Sequence, residues 1–336
     1  MRDVAVVSFA QSVAAEEPER NEVEILMPVV EEARAKSGIP KDDIGFTCSG
    51  SADFLAGQPF AFVNGLEAIG AWPPIRESHV EADGAWALYE AWVRLQHGDI
   101  DSALVYGFGK SSMGTLRDVL CVQLNPYYLA PLWPDAFSLA ALQARAMLDS
   151  GAHTEREMAE VAARNDGADV DELLARPFVV SPLREHDCAP VSDGAAAVVL
   201  AAADLAREVS ERPAWIRGID HRIEPHSLGA RDLTRSESTR VAGEKAGVGG
   251  DVDVAELQAP FTHQELILRD ALGLNGGTRI NPSGGVLGGH PMMAAGLIRI
   301  GEAALRITNG EANRALAHAT SGPCLQQNLV CVLEGD

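Results

Sequence analysis

Two segments of the chain repeat one pattern. Residues 84–99 (GAWALYEAWVRLQHGD) and 296–311 (GLIRIGEAALRITNGE) have equal length, glycines at the first and fifteenth positions, and an acidic last residue. Each precedes an apolar segment with an Ala-Leu pair at a matching position, Ala103-Leu104 in one and Ala315-Leu316 in the other. Alanine-rich segments with so little charge predict helices that are covered on both sides. We therefore expect a duplicated α/β fold whose two central helices stack between sheets, with chance similarity as the alternative.

The remaining segments alternate between strand-like and helix-like patterns. Residues 4–7 predict a first strand, and 23–37 predict an amphipathic helix. Residues 154–157 (TERE) form the pattern of a capping box, which indicates the start of another helix. Residues 192–194 (SDG) predict a turn that leads into a buried strand over 195–200.

No linker separates the two halves, so we expect them to share one core. The predicted division is an N-terminal half over 1–200 and a C-terminal half over 201–336, with an irregular cap region at about 113–180. This cap carries Tyr127, Tyr128 and Trp133 among prolines. These aromatic side chains are expected either to wall an apolar ligand pocket, to face a partner, or simply to pack within the cap.

Charge and cysteine spacing exclude several classes of function. The net charge of -21 disfavours nucleic acid, because a phosphate backbone would be repelled. Five scattered cysteines without CxxC spacing favour reduced thiols over disulfides, and no His and acidic residues recur at metal-ligand spacing. No apolar run reaches the roughly 20 residues that span a bilayer. The expectation is a cytoplasmic protein without a metal.

The strongest local motif lies at 280–291, which reads INPSGGVLGGHP. Four glycines allow positive φ angles and close backbone approach, so this loop can bring His290 against a ligand carbonyl with little bulk between them. The motif resembles the Asn-Pro-x-Gly-Gly…Gly-His-Pro loop of the thiolase superfamily.

Further landmarks extend this resemblance over nearly the whole chain. They are the opening strand at 4–10, the DGAAA run at 193–197, and residues 256–274. The sequence is most similar to sterol-carrier-type thiolases and to their lipid-transfer-protein relatives, which act on steroid side chains in actinobacteria. The resemblance implies a thiolase-like five-layer αβαβα sandwich of two similar halves, in agreement with the internal repeat.

The departures from the family pattern determine the chemistry that remains. Alignment on Gly84 places Glu81 at the position of the family's nucleophilic cysteine. The loop that carries the second cysteine reads HATSGP at 318–323, and the family's His-Asp-Cys-Phe or Asn-Glu-Ala-Phe loop becomes QAPF at 258–261. Thiolysis needs thiols, since a carboxylate forms no stable thioester intermediate. Of the family's working residues only His290 remains, so the chain is not expected to be a thiolase.

The retained histidine points to a reaction that passes through an enolate. We expect His290, with backbone N–H groups, to stabilise the enolate of a coenzyme A thioester. Retro-aldol cleavage of a steroid-derived 3-hydroxyacyl-CoA uses this enolate and requires only a base for the β-hydroxyl. Glu81 is the first candidate for this base, provided that it lies at the start of a buried helix, and Asp83 is the second.

The predicted substrate-binding residues lie in the three loops that the resemblance identifies. Gln258 is expected to donate through its amide, and Asn281 to order the glycine loop. Gly289, Ser321 and Gly322 complete the predicted set. No cofactor is expected apart from the coenzyme A of the substrate.

Two other functions remain open. Thiolase-like chains without cysteines often pair with a sister chain, and relatives of this kind bind an OB-fold and zinc-ribbon protein that holds acyl-CoA. The chain can therefore be a non-catalytic subunit that scaffolds or completes the sister's site. The absence of tyrosines near Gln258 and His290 favours this alternative, because related steroid aldolases depend on tyrosines there. The third function, a lipid carrier, has no sequence feature in its favour.

Overall fold

The computed structural model describes residues 2–274 and 276–336. Its helices are α1 Glu22–Ser37, α2 Asp53–Ala56, α3 Phe62–Ile69, α4 Gly84–His97, α5 Leu116–Val122, α6 Ala136–Ser150, α7 Glu155–Asp166, α8 Val170–Ala175, α9 Ala203–Val209, α10 Glu237–Ala246, α11 Thr262–Ala271 and α12 Ala295–Thr308. Its strands are β1 Val4–Ala14, β2 Phe46–Gly50, β3 Glu77–Val80, β4 Ser102–Lys110, β5 Phe178–Val180, β6 Leu183–Arg184, β7 Val191–Ala202, β8 Ala214–Ile223, β9 Val254–Leu257, β10 Arg279–Ile280, β11 His290–Pro291, β12 Arg314–Ser321 and β13 Gln327–Glu334.

Ten strands follow one another in the order β10-β9-β12-β13-β8-β1-β7-β4-β2-β3, and β11 pairs with β7 beside this path. The first five strands of this order end at β8 and the last five begin at β1. Between β8 and β1 only Ala5 with Trp215 and Val6 with Ala214 are paired. By contrast, β1 and β7 are paired from Val4 to Ala14. The short join divides the strands into an N-terminal and a C-terminal sheet.

The two repeated segments form the central layer of the molecule. Helices α4 and α12 contact each other, and their buried side chains, such as Leu88 and Ile300, share one core with the inner faces of both sheets. A second core lies between α1, α3 and α9 and the outer face of the N-terminal sheet. A third covers the outer face of the C-terminal sheet with α6, α7, α10 and α11. Three helical layers around two sheets give the predicted five-layer αβαβα sandwich.

The structure confirms the helix ends that capping residues predicted, but not the turn predicted before β7. The Oγ1 of Thr154 accepts from the N–H of Glu157, whose carboxylate accepts from the N–H of Thr154, so the capping box starts α7 as predicted. Helix α1 ends at Gly38 in the left-handed conformation. The predicted turn at 192–194 is wrong. These residues belong to β7, which is one strand from Val191 because it pairs along its length with β1 and β4.

Candidate active site

The glycine loop is fixed at its start by the side chain of Asn281. This residue has a φ of 46°, its Oδ1 accepts from the N–H of Leu257 at 2.6 Å, and its Nδ2 donates to Glu265 Oε2 at 2.9 Å. Glu265 is buried and forms a bidentate ion pair with Arg164 of α7 at 2.6 and 2.7 Å. The predicted ordering role of Asn281 has this structural basis, whereas Asn281 does not line the cavity described below.

A second buried ion pair holds the next part of the loop. Glu256 of β9 accepts from both the N–H and the Oγ of Ser283, at 3.1 and 2.7 Å. Arg299 of α12 donates to Glu256 Oε2 at 2.8 Å and to Ser283 Oγ at 2.6 Å. Both charged side chains are almost fully buried. The loop is therefore joined to β9 and α12 by charge-assisted hydrogen bonds, which are stronger than neutral ones.

His290 lies on β11, which pairs in parallel with β7. Its backbone N–H donates to Ser192 Oγ at 3.1 Å. The ring is partly accessible through the cavity but lies deep in the protein, and burial, helped by the charge of Arg299, lowers its pKa to about 4. His290 is consequently a neutral imidazole at pH 7. A neutral imidazole has one N–H donor and one acceptor nitrogen.

Gln258 lies between the imidazole and β12. The side chain is only 4% exposed. Its Oε1 accepts from the backbone N–H of Thr320 at 3.0 Å, and its Nε2 is 3.4 Å from Nε2 of His290. Gln258 therefore lies beside His290, and both ends of its amide already contact protein groups rather than the open cavity.

Asp83 connects the two central helices at their N-termini. Its Oδ1 accepts from the N–H groups of Ala85 and Leu297, and its Oδ2 accepts from the N–H of Gly296. A Cβ at Gly296 would lie 2.6 Å from Asp83 Oδ1, so only glycine allows this approach. Burial raises the pKa of Asp83, and the three donated hydrogen bonds oppose the rise. Asp83 is both a buried wall of the cavity and an N-cap of α4.

Glu81 lies outside this arrangement. The expected burial of Glu81 at a helix start is wrong, because its side chain is exposed and α4 begins only after Asp83. Its Oε1 accepts from the backbone N–H of Asp53 at 2.6 Å, which holds it at the start of α2. Glu81 does not line the cavity that contains His290 and Asp83.

One cavity joins residues from both halves of the chain. Its volume is about 170 Å³, and Asp83, His290 and Gln258 line it. Of the residues predicted to bind substrate, Ser321 and Gly322 also line it, whereas Gly289 does not. The sequence did not indicate the other polar groups at the wall, Gln123, Gln264 and Thr320, or the apolar side chains of α5 and α6, of which Leu116, Leu120, Phe137 and Leu139 are the largest.

Three of the six described non-glycine residues with a positive φ line this cavity. Met293, Cys324 and Leu325 have φ angles of 70°, 56° and 56° although none of them is glycine. Such residues cost of order 1–3 kcal/mol each and are found most often at functional sites. The carbonyls of Met292 and Met293 press against the sheet so closely that a Cβ at Gly109 or Gly107 would lie 2.2 Å from them.

The cysteines are poorly suited to act as nucleophiles. Burial raises the pKa of Cys48, Cys188 and Cys331 to about 12 and that of Cys324 to about 11, and it also raises the pKa of Cys121. Cys324 lines the cavity, but its Sγ donates to the carbonyl of Leu139 at 3.3 Å. A thiol of this kind is not ionised at pH 7, and the thiolate is the nucleophile in acyl transfer.

The cap aromatic side chains are exposed and do not line the cavity. Tyr127, Tyr128 and Trp133 are 82%, 69% and 54% exposed, and none of them lines the cavity wall. The interpretation in which they wall the ligand pocket is therefore wrong. Within the described residues, no cluster of His, Cys, Asp and Glu can hold a metal, and no helix is long and apolar enough to cross a membrane.

Comparison with known proteins agrees with this architecture. The chain is 29% identical to an acetyl-CoA acetyltransferase of Methanocaldococcus jannaschii, over 90% of its own length and 89% of the relative's. It is 28% identical to sterol carrier protein 2 of Gallus gallus over 86% of its own length, although it spans only 63% of that relative. A second acetyl-CoA acetyltransferase, from Methanothermobacter thermautotrophicus, is 31% identical over 43% of this chain and 44% of the relative. No protein-family profile matches.

A solved structure supports the same fold. The Ltp2-ChsH2(DUF35) aldolase superposes with a TM-score of 0.80 over 99% of this chain and 98% of that chain, at 19% identity. The five-layer fold, the glycine loop and the full-length relatives define a thiolase-like protein. Within that class the chain is similar in sequence to sterol carrier protein 2 and similar in fold to the Ltp2-ChsH2(DUF35) aldolase.

Proposed function

We propose that this chain cleaves the Cα–Cβ bond of a bulky, steroid-derived 3-hydroxyacyl-CoA by a retro-aldol reaction, as part of a heteromeric complex. The products are a ketone or aldehyde and a shorter acyl-CoA, and the enzyme is a carbon–carbon lyase. The observation that carries this proposal is a neutral His290 in a cavity where the thiol of Cys324 is held protonated.

The reaction needs one base and one oxyanion donor. A base takes the proton of the β-hydroxyl, the C–O bond becomes a carbonyl, and the electron pair of the breaking Cα–Cβ bond moves into the thioester as an enolate. A neutral imidazole N–H donates to the enolate oxygen in a site that excludes water, where such a donor is most effective. Protonation at Cα then gives the short acyl-CoA. No covalent intermediate and no cofactor beyond the substrate's coenzyme A are required.

Asp83 replaces Glu81 as the proposed base. Three backbone N–H groups occupy three of the roughly four acceptor sites of its carboxylate, so one site on Oδ2 remains for a substrate hydroxyl. Burial raises the pKa of Asp83, which makes its carboxylate a stronger base than that of an exposed aspartate. Exposed Glu81 has neither contact with the cavity nor the predicted burial.

The size of the cavity favours a partner. Sites that enclose drug-sized ligands measure roughly 300–1,000 Å³, whereas this cavity measures about 170 Å³. It therefore fits the reacting end of an acyl-CoA and leaves the sterol and the nucleotide outside. We propose that a sister thiolase-like chain and an OB-fold and zinc-ribbon acyl-CoA-binding protein cover those parts.

Two observations favour the alternative of a non-catalytic subunit. No tyrosine lines the cavity among the described residues, and Asp83 has an evident structural task as the cap of two helices. In that case the chain scaffolds or completes the site of its sister chain.

The purified complex should be incubated with a 3-hydroxyacyl-CoA that bears a steroid ring, and short acyl-CoA should be quantified by mass spectrometry. We expect release of short acyl-CoA that falls about 10²- to 10³-fold in His290→Ala, the cost of one oxyanion donor. Glu81→Ala is the matched control and should retain turnover, because Glu81 is exposed. Absence of the short acyl-CoA refutes the lyase proposal, and unchanged turnover in His290→Ala assigns the chemistry to a partner.

A further inference from the structure

The side-chain amide of Gln258 can face His290 in only one orientation. An amide oxygen only accepts hydrogen bonds, and an amide NH₂ only donates them. The backbone N–H of Thr320 donates to the amide at 3.0 Å, so the end that it meets is the oxygen. The NH₂ end is then the group that lies 3.4 Å from Nε2 of His290.

This orientation determines which imidazole nitrogen carries the proton. Two donors cannot share one hydrogen bond, so Nε2 of His290 has to be the acceptor of the Gln258 NH₂. The neutral ring then carries its proton on Nδ1. Nδ1 has no partner among the described residues, and it is not one of the fully buried atoms that lack one. The N–H that remains free is therefore accessible, on a side chain that lines the cavity.

We propose that Gln258 is a positioning residue that holds His290 in the Nδ1–H tautomer, so that Nδ1–H donates to the thioester oxygen. The donation to substrate rests on the proposed function, whereas the tautomer does not. Gln258 thereby changes from a predicted substrate-binding donor to a residue that acts through the imidazole.

The surroundings of Gln258 prevent the amide from turning over. The preceding residue, Leu257, is fixed by the Oδ1 of Asn281, and Glu256, two residues earlier on β9, is held by Arg299 and Ser283. Reversal of the amide would place its NH₂ against the N–H of Thr320. Since a buried donor that is left without a partner is unfavourable, the observed orientation is strongly preferred.

Nitrogen-15 NMR of protein labelled on histidine reads the tautomer directly. The signal of His290 is assigned by its loss in His290→Gln, and spectra are recorded above pH 7, where burial keeps the ring neutral. We expect a protonated Nδ1 and an unprotonated Nε2 in the wild-type chain. In Gln258→Glu, the carboxylate accepts from Thr320 and offers a second acceptor to the ring, so the proton should move to Nε2.

Gln264→Glu is the matched control. Gln264 also lines the cavity and is 4% exposed, but its Nε2 donates to Gln143 rather than to the imidazole. It should leave the His290 signals unchanged. If Gln258→Glu fails to fold, Gln258→Met removes the donor and should give a mixture of tautomers. A protonated Nε2 in the wild type, or spectra that no substitution at Gln258 alters, would overturn the proposal.

Turnover separates this inference from the function on which it rests. In the active complex, Gln258→Glu should lower kcat and kcat/KM equally, by about 10²- to 10³-fold, since the lost donor acts in the transition state. An inverted tautomer with full turnover refutes Nδ1–H as the donor. A wild-type complex that releases no short acyl-CoA refutes the proposed function, while the wild-type spectrum still decides the tautomer.

Discussion

The buried ion pair under the glycine loop gives the sharpest test of how this fold is held. Arg299 is 4% exposed and donates to Glu256 Oε2 and Ser283 Oγ, and the side chain of Glu256 is fully buried. The substitution Arg299→Met keeps most of the apolar volume but removes the charge. Glu256 would then be a buried carboxylate without a cation beside it.

The expected loss can be worked out from these contacts. Breaking a buried pair by removing one partner costs about 3–5 kcal/mol, because the remaining charge is uncompensated. A chain of 336 residues unfolds with an entropy of about 0.7 kcal/mol/K, at roughly 2.1 cal/mol/K per residue. The midpoint of thermal unfolding should therefore fall by about 4–7 °C.

Calorimetry of three variants decides the matter. Arg240→Met is the control, since Arg240 pairs with Glu237 and Glu244 on the surface and its removal should leave the midpoint nearly unchanged. The double variant Glu256→Gln with Arg299→Met should recover part of the loss, because the stranded charge is gone. A single variant as stable as the control, or a double variant no better than the single, would refute the reasoning.

Three further outcomes are expected. Burial lowers the pKa of His263 to about 3 and those of His290 and His318 to about 4, so the unfolded chain binds more protons below pH 6.5. These three histidines should therefore not reduce the free energy of unfolding above pH 6.5, and should reduce it progressively as the pH drops towards 4. Thermal unfolding measured across that pH range will show this. Asp83→Ala should lower the unfolding free energy in denaturant titrations by about 1–4 kcal/mol, because it removes a cap worth about 0.5–2 kcal/mol from each of two helices. Iodoacetamide at pH 7.5 should leave turnover intact, because the Cys324 thiol is protonated with a pKa of about 11; rapid loss of turnover with labelling of Cys324 would contradict this.

The sequence predicted those parts of the fold that local chemistry or periodicity determines. The repeat at 84–99 and 296–311 predicted α4 and α12 and their stacking, because a helix buried on all sides has little charge. The capping box at Thr154 predicted the start of α7 from a contact between residues three apart. The boundary of the halves at residue 200 stays a prediction.

Features that depend on contacts between distant parts of the chain were predicted wrongly or not at all. Alignment assigned Glu81 to a helix start, but it could not show that the N–H of Asp53, far from it along the chain, donates to its side chain. The polar run at 192–194 resembles a turn, yet two long neighbouring strands keep it extended. The tautomer of His290 depends on Thr320, which is far from it along the chain and was not singled out.

The close approach of Met292 and Met293 to Gly109 and Gly107 makes the cavity dependent on contact between the two halves of the chain. Gly107 and Gly109 of the first half contact the carbonyls of Met293 and Met292, which follow His290 in the second half. No space remains between them for even one methyl group. Neither half holds a complete cavity, since Asp83 comes from one and His290 from the other. Any change that loosens the two sheets from each other should abolish ligand binding before it unfolds either sheet.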